Sequence, residues 1–150
     1  MFNLSNKVAE ISVSYQPDLS VNPVIKSADD AHKHLLPFFS DDTIGLYERL
    51  VAGYFNRSNR LIGVYEVSKG GITSTIVEPR LILSVALKIA ATGIILAHNH
   101  PSGNLQPSPQ DKEQTKRLKE AAGLMEISLI DHLILAPGGT YYSMLEHGDL

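Results

Sequence analysis

The chain contains 150 residues, of which 43% are hydrophobic and 19% are charged, and its formal net charge is −3 at pH 7. These values are typical of one folded domain with a single core, and they exclude an intrinsically disordered chain. The sequence has no cysteine, which excludes a disulfide framework, a thiolate metal site and a cysteine nucleophile.

The first half of the sequence predicts a strand, a short helix and a β-hairpin. Residues 7–15 alternate between apolar and polar side chains, a pattern that predicts a strand. Residues 27–30 form a capping sequence that predicts a helix start, and Pro37 is expected to end or kink that helix. Residues 46–55 and 61–67 are apolar and rich in β-forming types, so we expect them to pair across a short polar turn.

A helix and a buried strand are predicted next. Residues 72–77 favour an extended segment. A helix is then expected to begin at Pro79, because its apolar residues recur at helical spacing until Gly93. Residues 94–96 are fully apolar and predict a short strand that leads directly into His98.

The last part of the sequence predicts one more helix and two more strands. The helix covers residues 108–122, with Gly123 as its expected C-terminal stop. Residues 129–136 and the segment TYYSM, residues 140–144, predict strands joined by a Pro-Gly-Gly turn. This mixture of helices and strands predicts an α/β or α+β domain of three layers.

The stretch AHNHPSGNLQPSPQD, residues 97–111, supports two interpretations. His98 and His100 point to the same side of a strand, so both imidazoles can bind one metal ion such as zinc. Ser108 and Asp111 have the spacing of a capped helix start. The two interpretations are compatible, because Asp111 can meet the helix terminus with one carboxylate oxygen and a metal with the other.

The spacing His-x-His, seven residues, Ser, two residues, Asp is carried by His98, His100, Ser108 and Asp111. It resembles the JAMM signature of JAB/MPN-type metallopeptidases. The longer stretch ILAHNHPSGNLQPSPQD is similar to the version found in the C-terminal domain of RadC-family proteins. GGITSTIVEPRLILSVAL before it and LIDHLILAPGGTYYSMLEHGDL after it are similar to that domain as well.

The resemblance covers about residues 44–150, and residues 1–43 fit a lead-in strand and helix. It implies a single domain over residues 1–150 with the three-layer, cytidine-deaminase-like JAB/MPN fold, in which helices flank a mixed, curved β-sheet. Longer RadC-family members resemble this chain with a helix-hairpin-helix segment in front, for which we expect no counterpart here.

The resemblance also implies a role for each residue of the signature. His98, His100 and Asp111 would bind one zinc ion per chain, leaving the fourth tetrahedral position open for water, as in catalytic zinc sites. Ser108 would donate a hydrogen bond to the oxyanion of the tetrahedral intermediate. A glutamate on an earlier strand acts as general base in the JAMM family; Glu66 is the residue that matches, and Glu48 on the other hairpin strand is the second choice.

Asp131 and His132 lie within a predicted apolar strand. They resemble a pattern of the same family, but a packed, hydrogen-bonded pair in the core explains them better than a second metal site does. His32 and His34 are two residues apart on a predicted helix, so they face different sides and are poor joint ligands.

The resemblance implies a zinc-dependent hydrolase of peptide or isopeptide bonds, with a peptide or protein substrate such as an extended C-terminal tail. The alternative is a DNA-repair or protein-interaction accessory module with little or no turnover. Basic residues are scattered, and the densest group is interleaved with glutamates, so direct nucleic-acid binding is not supported. With no membrane-length apolar run and no signal-peptide pattern, we expect a cytoplasmic protein without a membrane partner; a homo-oligomer stays open.

Overall fold

The computed structural model describes residues 8–70 and 76–150. Its helices and strands are α1 Ala28–Leu35, β1 Arg49–Phe55, β2 Leu61–Lys69, α2 Pro79–Lys88, β3 Gly93–Asn99, α3 Pro109–Leu124, β4 Ser128–Leu135 and β5 Tyr141–Ser143. A 3₁₀ turn, Leu36–Phe38, follows α1 directly. Among the helices of these two ranges, none combines the length and the apolar character that a membrane span requires.

The five strands form one mixed sheet in the order β2-β1-β3-β4-β5. Strands β3 and β4 are parallel, and every other neighbouring pair is antiparallel. All seven residues of the central strand β3 are buried, which explains why its sequence is apolar almost throughout: both faces of the strand are covered. The β1–β2 hairpin was predicted from the sequence and is confirmed.

Apolar side chains fill a core on each face of the sheet. The core that lies under α2 and α3 includes Leu50, Tyr54, Ile82, Ile94, Leu96, Leu118 and Ala122. The core that lies under α1 includes Ala31, Leu35, Val51, Phe55, Ile95, Ala97 and Leu133. This is a helix–sheet–helix arrangement, so the predicted three-layer α/β fold, consistent with a JAB/MPN-like domain, is confirmed.

The alternation of β3 sends neighbouring residues to opposite faces. His98 follows Ile94 and Leu96 on the face covered by α2 and α3, whereas Asn99 points to the face covered by α1. The pairing with β4 continues one residue beyond the strand, since the His100 N–H donates to the Leu135 carbonyl at 2.8 Å. The fold therefore holds both histidines at the carboxyl end of the central strand.

The strand predicted for residues 7–15 is wrong over its described part, residues 8–15, which have no regular structure. Ile11 is 88% exposed and Val13 is 68% exposed, so the apolar alternation has no core to face. Tyr15 contacts the sheet by donating its hydroxyl proton to the Ile62 carbonyl at 2.9 Å. In the extended segment predicted for residues 72–77, residues 72–75 lie outside the described residues.

The ends of two helices differ from the predicted ends. Helix α2 ends at Lys88 rather than near Gly93, because Ala90 turns the chain with a left-handed φ of 55°. Helix α3 continues through Gly123 to Leu124, and Glu126 takes the left-handed conformation, with φ of 56°. In both cases a non-glycine residue takes the left-handed conformation after the helix. A prediction that places the helix end at a glycine therefore misses the true end.

Replacing Leu35 by alanine should weaken the docking of α1. Leu35 is fully buried, and truncating a buried leucine to alanine costs about 2–5 kcal/mol of the free energy of unfolding. Urea unfolding followed by circular dichroism measures this loss. His34→Ala on the exposed side of the same helix is the control; equal stability of the two variants would contradict the packing described.

Candidate metal centre

Three side chains converge where β3 ends and α3 begins. The Nε2 atoms of His98 and His100 are 2.9 Å apart. Asp111 faces both rings, with Oδ1 at 3.4 Å from His98 Nε2 and Oδ2 at 3.3 Å from His100 Nε2. One ligand atom from each residue lies within 4.8 Å of the others. The structure thus brings together the three residues that the sequence predicted as metal ligands.

The start of α3 fixes the position of Asp111. The Ser108 N–H donates to Asp111 Oδ2 at 2.7 Å, and the Asp111 N–H donates to Ser108 Oγ at 3.0 Å. This is the reciprocal capping box that the sequence predicted. Because Ser108 Oγ accepts in this arrangement, its own proton is free to be donated elsewhere.

A backbone carbonyl determines which nitrogen of His100 carries the proton. His100 Nδ1 lies 2.6 Å from the Asn104 carbonyl oxygen, and a carbonyl can only accept a hydrogen bond. In the neutral ring Nδ1 must therefore be the protonated nitrogen, which leaves a lone pair on Nε2. That lone pair faces His98 and Asp111, in the direction that a metal ligand requires.

His98 has a buried partner on its other nitrogen. His98 Nδ1 lies 2.7 Å from His132 Nε2, and His132 Nδ1 lies 2.6 Å from the hydroxyl oxygen of Thr115. Burial and the neighbouring His98 hold the pKa of His132 well below its usual value, so its ring is neutral. The spacing of the signature did not point to His132 or Thr115, because neither lies within the motif.

Asp131 and His132 are buried and hydrogen-bonded, as predicted, but their side chains have different partners. Asp131 accepts hydrogen bonds from the Ser143 hydroxyl at 2.6 Å and from the Leu145 N–H at 3.0 Å. Successive strand residues point to opposite faces, so Asp131 faces away from the metal centre whereas His132 faces toward it. No second metal-binding cluster is found among residues 8–70 and 76–150.

The charges of the site stabilise one another. Burial alone would raise the pKa of Asp111, but the neighbouring His100 and His98 rings and the hydrogen bond from the Ser108 N–H hold it far below its usual value. Burial alone would lower the pKa of His100, but the adjacent Asp111 carboxylate and the Asn104 carbonyl, which stabilise the protonated ring, and the charge of Glu48 raise it. The site therefore attracts a positive charge.

Glu48 lies at the same end of the sheet as the three ligands. The antiparallel register pairs Leu50 with His98, and continuing it by two residues places Glu48 opposite His100 on the same face. The Glu48 carbonyl accepts a hydrogen bond from the Gly70 N–H at 2.9 Å, and its side chain is half-buried. Its charge contributes to the raised pKa of His100, in agreement with a position on the same face as the three ligands.

Glu66, the base implied by the sequence resemblance, is not brought to the three ligands. In the hairpin it pairs with Val51, and Val51 belongs to the core under α1. Arg49, on the same face, forms an ion pair with the Glu66 carboxylate. Glu66 therefore lies on the opposite face of the sheet from His98, whereas the strand register puts Glu48 on the same face as His98.

Asn99, between the two histidines, fastens the segment that carries Glu48. Its amide nitrogen donates to the carbonyls of Ile44 at 2.7 Å and Tyr47 at 3.0 Å. Its amide oxygen accepts from the Arg49 N–H at 2.7 Å. Asn99 is fully buried, so its side chain depends on these three hydrogen bonds rather than on water. They link the chain on both sides of Glu48 to the strand that carries the ligands.

The donor set fits a zinc ion. Two imidazole nitrogens and one carboxylate are ligand types that zinc binds in proteins, and three protein ligands are typical of a catalytic site with an open position. No fourth histidine, aspartate or glutamate of the described ranges joins the group. His98 is buried, whereas His100 and Asp111 are partly exposed, so the open position is reached from solvent.

Comparison with known proteins gives the family. A model described as RadC-like JAB domain matches residues 25–149. The chain belongs to the RadC-like JAB domain family. A UPF0758 protein of Flavobacterium johnsoniae is 40% identical to this RadC-like domain over 124 residues, which cover 83% of this chain and 52% of that protein. A UPF0758 protein of Streptococcus gordonii is 47% identical over 103 residues, which cover 69% of this chain and 45% of that protein.

A third relative, a UPF0758 protein of Porphyromonas gingivalis, is 38% identical over 118 residues, which cover 79% of this chain and 51% of that protein. The chain thus spans about half the length of the curated relatives it matches. These names assign no reaction. The function of the RadC-like domain must therefore be argued from its own site.

Replacing Asn99 by alanine should loosen the segment around Glu48. The change leaves two carbonyls and the Arg49 N–H without their partner. Each such buried group costs about 1–3 kcal/mol, so we expect the free energy of unfolding to fall by at least about 2 kcal/mol. Urea unfolding measures it, with the exposed Asn104→Ala as control. An Asn99→Ala protein as stable as the wild type would contradict this role.

Proposed function

We propose that this RadC-like domain is a zinc-dependent hydrolase of peptide or isopeptide bonds. The observation that carries the proposal is the convergence of His98, His100 and Asp111 on one point that is open to solvent on one side. Glu48 lies beside that point on the same face of the sheet. A ligand set with an open position and an adjacent carboxylate has the parts that metal-assisted amide hydrolysis requires.

Zinc bound by these ligands would supply Lewis acidity and would lower the pKa of water toward neutrality. Glu48 takes the proton from the attacking water and returns it to the leaving nitrogen, as general base and then general acid. We assign this role to Glu48 rather than to Glu66, because the Glu66 carboxylate is paired with Arg49 on the other face. Asn99 keeps Glu48 in position through the main chain.

Ser108 stabilises the negative charge that develops on the substrate carbonyl. Its oxygen accepts the Asp111 N–H, so its proton can be donated to an oxyanion beside the metal ligands. The rigid start of α3 holds this donor in place, so little reorganisation is needed during the reaction. The substrate class that fits is a peptide or protein, for which an extended C-terminal tail is one suitable form.

Zinc should bind the wild-type protein and stabilise it. A ligand at 100 times its dissociation constant adds about 2.7 kcal/mol to the stability of the folded state. We expect added zinc to raise the melting temperature, and EDTA to reverse the effect. Metal analysis after dialysis should find less zinc on His98→Ala and Asp111→Asn, while His34→Ala on the exposed face of α1 keeps it. Wild-type zinc content in Asp111→Asn would show that the ligands are assigned wrongly.

Glu48→Gln should abolish hydrolysis without removing the metal. The amide keeps the shape of the side chain but cannot accept a proton, and loss of a general base typically lowers the rate by about 10²–10⁴-fold. Cleavage of a fluorescence-quenched peptide library by the zinc-loaded protein is the measurement. Glu66→Gln is the matched control and should retain most activity.

The reverse result, with activity lost in Glu66→Gln and kept in Glu48→Gln, would refute the assignment of the base. A wild-type protein that binds zinc but cleaves no member of the library, and no ubiquitin-like protein with an extended tail, would favour the accessory-module alternative.

A further inference from the structure

The buried side of the metal centre continues into a chain of hydrogen bonds that ends on the main chain of α3. His98 Nδ1 lies 2.7 Å from His132 Nε2, and His132 Nδ1 lies 2.6 Å from Thr115 Oγ1. The Thr115 hydroxyl lies 2.6 Å from the carbonyl oxygen of Asp111. His98, His132 and Thr115 are each only 1% exposed, so water does not compete for these contacts.

The last acceptor fixes the direction of every hydrogen bond in this chain. A carbonyl oxygen only accepts, so the Thr115 hydroxyl donates its single proton to Asp111. Toward His132 the hydroxyl oxygen is then an acceptor, and His132 must carry its proton on Nδ1. A neutral imidazole that is protonated on Nδ1 has its lone pair on Nε2. His132 Nε2 therefore accepts a hydrogen bond from the Nδ1–H of His98.

The neutral state of His132 follows from its surroundings. Its two ring nitrogens contact the imidazole of His98 and the hydroxyl of Thr115, and neither of these groups carries a negative charge. A protonated ring buried among such partners would be an unpaired charge in the core, which is costly. With His132 neutral, His98 is protonated on Nδ1 and presents the lone pair of Nε2 to His100 and Asp111.

We propose that His132 and Thr115 are positioning residues that hold His98 in the tautomer and ring orientation required for metal binding. Thr115 lies one helical turn after Asp111, so one short stretch of α3 supplies one ligand and also orients another. We call the hydrogen bonds from His98 through His132 and Thr115 the relay. His100 needs no relay, because the Asn104 carbonyl accepts its Nδ1–H directly. This inference rests on the proposed function, which identifies the bound metal as zinc.

Thr115→Val tests the relay with the smallest change in shape. Valine removes the hydroxyl, while the Asp111 carbonyl keeps its helical partner, the backbone N–H of residue 115. Changes in such outer partners typically lower metal affinity about 10–100-fold, and we expect a loss of that size in competition titrations of zinc against a chromophoric chelator. Thr115→Ser restores the hydroxyl and should bind zinc within about threefold of the wild type.

Nitrogen-15 NMR of the zinc-free protein at mildly alkaline pH reads the tautomer without metal or turnover. We expect the wild type and Thr115→Ser to show His98 protonated on Nδ1 alone, and Thr115→Val to show a mixture of both tautomers. This readout separates the relay from a purely structural role, because simple loosening of the core changes stability without selecting which nitrogen carries the proton. Thermal unfolding of each zinc-free variant confirms that it is folded.

Two results would overturn the inference: His98 protonated on Nε2 in the wild type, or wild-type zinc affinity in Thr115→Val. A wild-type protein that binds no zinc would instead refute the proposed function. In that case the tautomer measurement alone decides whether His132 and Thr115 orient His98, so the two failures are distinguishable.

Discussion

When both rings are neutral, the Nε2 atoms of His98 and His100 both present lone pairs and are held 2.9 Å apart beside the Asp111 carboxylate. Acceptors held this closely repel one another unless a positive charge lies between them. Neither ring can relieve the repulsion by moving its proton from Nδ1 to Nε2. The Nδ1–H of His100 is held by the Asn104 carbonyl, which can only accept a hydrogen bond. The Nδ1–H of His98 is held through His132 and Thr115, which end on the Asp111 carbonyl. Affinity for a cation is therefore built into the hydrogen bonding of the apoprotein.

The arrangement of the sheet and of α3 makes this convergence possible. The parallel register of β3 and β4 pairs Leu96 with His132, which places His132 on the same face as His98 and one pair behind it. Helix α3 packs over that face, and Asp111 in its first turn and Thr115 one turn later lie on the side of the helix that faces the histidines. On the opposite face, Asn99 donates hydrogen bonds to the carbonyls of Ile44 and Tyr47 and so holds the segment that leads into β1. One central strand thus orders the ligands and the segment that carries Glu48.

The sequence predicted the features that depend on short spacing and failed where distant chain segments decide. His98, His100, Ser108 and Asp111 lie within a strand, a loop and a capped helix, whose geometry follows from neighbouring residues. The face on which a hairpin glutamate lies depends on the register between strands, and a shift of one residue reverses it. The β1–β2 ladder contains two such irregularities, which no spacing in the sequence reveals.

The openness of the metal centre bears on whether the domain turns over a substrate. A structural zinc site is normally closed by a fourth protein ligand and buried, and the described residues supply three ligands only. The side of the site without a protein ligand is the one exposed to solvent: His100 and Asp111 are partly exposed there, whereas His98 is buried behind them. A half-buried carboxylate, Glu48, borders that side without joining the ligands. This asymmetry supports the hydrolase that we propose, because a metal bound only for stability does not require a side that is open to solvent.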